Sequence, residues 1–163
     1  MNPAQGGWVI MLSLIVAMIL MVLRLPEFMP DLGLLRPQWL LMVVFFWVVE
    51  TPHRLGLVVA WLLGLLTDVL LAHPLGLNAF ILAGTTWVGW VFYERLRMYS
   101  VFQQCAVLFV IVLLAEACEL FALSLMGRVG LSWELLTTPA VSMFVWPFLY
   151  VLLTRLRIAA RVA

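Results

Sequence analysis

The sequence contains no lysine. All nine basic residues are arginine, so Schiff-base chemistry and a phosphate-binding P-loop lysine are excluded outright. Charge of either sign is scarce, at 10% of 163 residues, and the formal net charge of +1 gives nucleic acid nothing to bind. The two histidines, His53 and His73, lie in separate breaks of the apolar pattern. The two cysteines, Cys105 and Cys118, fall on one helical run about 20 Å apart along its axis, too far to pair with each other. They form no CxxC or metal spacing, and buried, inert thiols are expected. No Ser/His/Asp arrangement and no glycine-rich phosphate loop is present. No catalytic, cofactor-binding or metal-binding set is therefore expected.

What is abundant is apolar surface. Hydrophobic residues make up 66% of the chain, where a soluble domain is nearer half apolar and a quarter charged. There are too few polar residues to cover a water-soluble core, so the composition is that of an all-α integral membrane protein. Six hydrophobic segments are expected, at about 7–23, 35–50, 55–72, 75–93, 101–125 and 135–153, forming one transmembrane domain over 1–163. The first has no basic stretch before it and no small-residue cleavage site after it, and reads as a retained helix. Pro37 suits the first turn of the second segment, and Trp39 suits a membrane entrance. Glu94-Arg95-Leu96-Arg97 reads as a polar turn, and Pro147 as a kink in the sixth segment.

Six crossings place both termini on one side. The terminal segments and the turns at 51–54 and 94–100 carry six arginines, and the other three connections carry Arg24, Arg36 and Arg128. The excess puts both termini in the cytoplasm. The tail arginines Arg155, Arg157 and Arg161 are expected to meet anionic lipid.

Three groups of residues stand out. The first is a small-residue row, Gly56, Ala60 and Gly64, at four-residue spacing on the third segment. Such a row lets another helix approach closely, and packing within the chain is favoured over a partner-binding face. The second is a set of polar residues inside apolar runs: Asp68, Asn78, Glu116 and Glu119. Counting the rise from the expected cytoplasmic ends places all four in the outer half of the membrane, with His73, Arg24, Arg36 or Arg128 as cationic partners. An acid in a membrane core costs about 2.5–3.5 kcal/mol and does not face lipid. A structural polar knot is favoured, and a proton relay or solute site is the functional alternative. The third is the turn Pro52-His53-Arg54, a candidate cytoplasmic docking element, in which Glu50 and Arg54 have the spacing of an ion pair.

The order RPQW (Arg36, Pro37, Trp39), then PHR (Pro52, His53, Arg54), then GLLTD (Gly64, Asp68), then PLG (Leu75, Gly76) resembles the rod-shape-determining MreD family of bacteria, in its proteobacterial branch. GGWVIMLSL at Gly6–Leu14 and WPFLYVLLTRLR at Trp146–Arg157 are similar to that family too. The resemblance covers the chain and implies an inner-membrane, non-enzymatic scaffold of the cell-elongation machinery. It implies MreC as the direct partner, with MreB filaments, RodA and a penicillin-binding transpeptidase in the wider complex. It also implies a six-helix bundle similar to the S components of energy-coupling-factor transporters. A small-molecule-binding transporter subunit, and an intramembrane enzyme using Asp68 and Glu116, are the alternatives from other classes.

Overall fold

The computed structural model describes residues 7–22, 37–127 and 134–160. The described residues form six helices and no strand: α1 (Gly7–Val22), α2 (Trp39–Glu50), α3 (Leu57–Leu71), α4 (Leu77–Met98), α5 (Val101–Leu125) and α6 (Glu134–Ala159). Arg24, Arg36, Arg128 and Arg161 lie outside the described residues.

The bundle is built around α2. Every residue from Leu40 to Val49 is buried. Its sequence, WLLMVVFFWVVE, is apolar on all sides, and a helix of that kind has no face to give to solvent. Helices α1, α4 and α6 pack against it, α3 packs chiefly on α4, and α5 chiefly on α6. Phe45 meets Trp146, and Phe46 meets Tyr150 edge-on, with ring centroids 5.4 and 5.6 Å apart. The indole N–H of Trp47 donates to Ser13 Oγ on α1 at 2.8 Å, so this fully buried ring keeps its polar atom paired. Gly89 of α4 lies so close to Val48 that a Cβ there would overlap the valine side chain.

The outside of the bundle is apolar. On α1, Val9, Ile10, Leu14, Ala17 and Met18 face inward, and Trp8, Met11, Leu12, Ile15 and Ile19 are exposed. Water would not stabilise an exposed stripe of that kind, and hydrocarbon would. Two helices, Val101–Leu125 and Leu135–Ala159, are long and apolar enough to cross a membrane.

Several boundaries differ from the sequence expectation. Helix α2 starts at Trp39, and Pro37 is not in its first turn. The backbone N–H of Gln38 donates to Ser142 Oγ at 3.2 Å and its side chain bonds Glu116, which holds this residue outside the helix as its N-cap. The stretch 94–97 is no turn, because α4 continues through it to Met98. Glu, Arg and Leu are good helix formers, so charge there marks the end of the apolar run and not of the helix. Leu96 is buried, and its carbonyl accepts a bond from Gln104 Nε2 at 3.1 Å. The break falls at extended Tyr99, after which Ser100 and Gln103 form a capping box for α5. Helix α6 likewise runs on to Ala159, with Pro139 and Pro147 inside it. Cys105 is buried as expected, but Cys118 is exposed.

Candidate functional site

Asp68 sits three residues before the end of α3, and its side chain is fully buried. After Leu71 the chain must reverse within a few residues to start α4. Ala72 takes a left-handed conformation (φ 53°), and the N–H groups of Ala72 and His73 both fold back to the Asp68 carbonyl. Gly76 then opens α4 as its N-cap at φ 99°, a conformation natural to glycine. A glycine N-cap has no side chain to satisfy the free N–H groups of the first turn. Asp68 does this from across the turn. Its Oδ2 accepts from Gly76 N–H at 2.8 Å, and its Oδ1 accepts from Asn78 N–H and Asn78 Nδ2 at 2.9 Å each. The carboxylate also faces the positive end of the α4 dipole.

The four expected cluster residues are brought together in unequal ways. Asp68 and Asn78 bond directly. Asn78 Nδ2 also lies 3.2 Å from His73 Nδ1, and that nitrogen lies 3.5 Å from Glu119 Oε1 on α5. Glu116 is joined to the start of α2, where Gln38 Nε2 donates to its Oε1 at 2.8 Å. Among the expected cations, His73 is the one the described residues supply. Gln38 and Ser142, not foreseen from the sequence, tie α5 and α6 to the start of α2. The short polar stretch PQ ahead of an unbroken apolar helix was the available signal.

His73 Nδ1 faces both the Asn78 amide and Glu119, and its role follows the state of the ring. In the neutral ring protonated on Nε2, Nδ1 accepts from Asn78 Nδ2. Burial pushes the His73 pKa below its ordinary 6.5, against the upward pull of the Asp68 and Glu116 charges. A protonated ring would instead donate from Nδ1 to Glu119.

The small-residue row is used inside the chain. A Cβ on Gly64 would overlap the backbone of Asn78 and Ala79, and Ala60 is fully buried. Gly56 is the N-cap of α3 and has open space around it. Helix α4 therefore occupies the Gly64 end of the groove at close backbone contact.

The 51–54 turn is anchored by Thr51, whose hydroxyl donates to the Trp47 carbonyl at 3.0 Å and whose carbonyl accepts from Arg54 N–H. Pro52 and Arg54 are half-buried, and His53 is exposed. Glu50 does not pair with Arg54. Its carboxylate forms an ion pair with Arg157 of α6 and accepts from the Tyr150 hydroxyl at 3.4 Å. The i,i+4 pairing requires continuous helix, and α2 ends at Glu50. Arg157 is thereby engaged by protein and not held for lipid.

A cavity of about 610 Å³ opens between α4 and α5. Asp68, Asn78, Glu116 and Glu119 do not line it, so the carboxyl pair required by an intramembrane enzyme does not converge there. Among the described residues no group of His, Cys, Asp or Glu side chains could hold a metal ion.

An all-helical bundle with an apolar exterior, membrane-length helices and its internal acids bonded to its own chain is the architecture of a membrane-embedded structural protein. Comparison with known proteins agrees. The family model "rod shape-determining protein MreD" matches residues 3–156. The rod shape-determining protein MreD of Haemophilus influenzae is 25% identical over 150 residues, covering 92% of this chain and 91% of that protein. The chain belongs to the MreD family, whose role is the determination of rod shape. No solved structure matches it.

Proposed function

We propose that the chain is a non-enzymatic, multi-pass scaffold of the bacterial inner membrane, with six crossing helices and both termini in the cytoplasm. In this reading it binds MreC and helps couple MreB filaments to RodA and its transpeptidase. The exposed His53 and the turn around it present a cytoplasmic docking element, and the exterior helix faces contact membrane-spanning partners. The observation that carries the reading is the bonding of Asp68 and Glu116 within the chain. Asp68 spends both carboxylate oxygens on the α3–α4 turn, and Glu116 is bonded to Gln38. Groups bonded in this way hold helices together and are not presented to a solute.

The test is co-purification of the full chain with MreC in mild detergent, combined with rescue of rod shape in cells lacking the endogenous protein. Recovery of MreC together with rescue supports the scaffold. Rescue without MreC in repeated preparations refutes the direct contact. An extracytoplasmic reporter active when fused at Ala163 would refute the topology. The S-component-like bundle stands with this proposal. The reading as a solute-binding subunit has less support, because the cavity between α4 and α5 offers almost no polar lining.

A further inference from the structure

Helices α4 and α5 are consecutive and joined by a tight break at Tyr99-Ser100, yet they part along their length. α4 gives its inner faces to α2 and α3, and α5 gives its own to α6. What remains between them is the 610 Å³ cavity, open to the outside of the bundle. Phe80, Val88 and Phe92 line it from α4, and Val110, Leu114 and Cys118 from α5. Midway along α4, Gly84 leaves the floor bare, since a Cβ there would meet nothing within 4 Å. Arg95 supplies the one charged side chain of the lining. It is exposed, in the last turn of α4, and makes no ion pair among the described residues.

The track and its charge indicate the occupant. From Arg95 back to Phe80 the apolar groove follows α4 for about 22 Å, most of the way across a hydrocarbon core near 30 Å. A single extended hydrocarbon chain fits it. The cation stands at one end of the apolar track, where a lipid of that orientation carries its phosphate.

We propose that the α4–α5 groove is a binding site for one anionic phospholipid, its acyl chain lying between the helices and its phosphate held by the Arg95 guanidinium. This rests on the membrane-spanning reading above. Arginine presents a planar fork of donors that matches phosphate oxygens. The lining carries no acidic residue to oppose a net negative headgroup.

The test is native mass spectrometry of the full chain released from detergent with phosphatidylglycerol or zwitterionic phosphatidylcholine added. One phosphatidylglycerol is retained in preference. Arg95→Gln weakens its retention about fivefold, the loss of one arginine's attraction near a membrane surface. Arg97→Gln, outside the lining, leaves retention unchanged. Gly84→Phe fills the floor and lowers retention of both lipids, with helicity by circular dichroism reporting that the bundle is intact. Equal retention by the parent and Arg95→Gln overturns the proposal. So does a photocrosslinker at Val110 that captures a protein segment in cells in place of lipid. Failure of the chain to fractionate with membranes would sink the scaffold reading itself, whereas a membrane-embedded chain with no Arg95 dependence sinks the lipid site alone.

Discussion

Replacing Asp68 separates a structural acid from a working one. Asp68→Ala removes the acceptor for three N–H groups: Gly76 N–H, Asn78 N–H and Asn78 Nδ2. Each buried donor left without a partner costs about 1–3 kcal/mol. The Asn78 side chain keeps its contact with His73, so its share lies at the low end, and the sum is about 3–7 kcal/mol. Asp68→Asn is milder. Its remaining oxygen can still receive both Asn78 donors, but its NH₂ then confronts Gly76 N–H, one bond lost and two donors opposed, for about 1–3 kcal/mol. At this chain length 1 kcal/mol corresponds to roughly 2–4 °C.

The assay is thermal unfolding in detergent, followed by the fluorescence of the eight tryptophans, with rod-shape rescue scored in parallel. The expected order of melting temperature is parent, then Asp68→Asn, then Asp68→Ala, with rescue failing in the same order. If Asp68→Ala melts with the parent, the capping argument is wrong. If Asp68→Asn melts with the parent yet fails to restore shape, ionisation of Asp68 serves something other than the fold, and a proton relay returns.

Three further outcomes follow from the geometry. Arg157→Gln strands the buried Glu50 carboxylate and costs about 3–5 kcal/mol by the same melt, and Glu50→Gln/Arg157→Gln costs less than the two single changes added together. Gly89→Ala drives a methyl into Val48 and destabilises by about 1–3 kcal/mol, and Val48→Ala in the same chain recovers part of that loss. Stability depends on pH through His73. Its folded pKa is lowered, so its contribution is present above 6.5, the unfolded value, and is lost as pH falls below that value. A melt series downward from pH 7.5 shows this, and His73→Asn flattens the part due to the ring.

The sequence was informative where a segment's chemistry is repeated along its length. Six apolar runs correspond to the six helices of the described residues, although the capping box of Ser100 and Gln103 at the start of α5 was not read from the sequence. Boundaries failed where charge was read as a break in the chain. The arginines at 95, 97, 155 and 157 end the apolar run, but none carries a proline or glycine to end a helix, and α4 and α6 continue through them. Pairing failed where a partner comes from far along the chain. Glu50 chose Arg157 over Arg54, and Glu116 chose Gln38; sequence distances of 107 and 78 residues leave no local trace. The central place of α2 was not legible, since α1 is as apolar on every side and yet exposes Trp8, Met11, Leu12, Ile15 and Ile19.

The polar ties that join α2 to α5 and α6 lie at its two ends. At one end of α2, Gln38 ties Glu116 of α5 and Ser142 of α6, and at its other end Glu50 ties Arg157 and Tyr150 of α6. Between them lie ten consecutive buried apolar residues. Apolar packing inside lipid gives helices little reason to prefer one register over another, because hydrocarbon outside is as apolar as leucine inside. Bonds at both ends of a buried strut do fix register, since sliding α6 by one residue would break Ser142 from Gln38 and Arg157 from Glu50 together. A scaffold requires this property, because a partner that recognises an outer face recognises a fixed relation between helices. A transporter that alternates between states would be hindered by the same double anchorage. Glu50 and Glu116 are thus fastenings between helices, and Asp68 is the fastening of the α3–α4 turn.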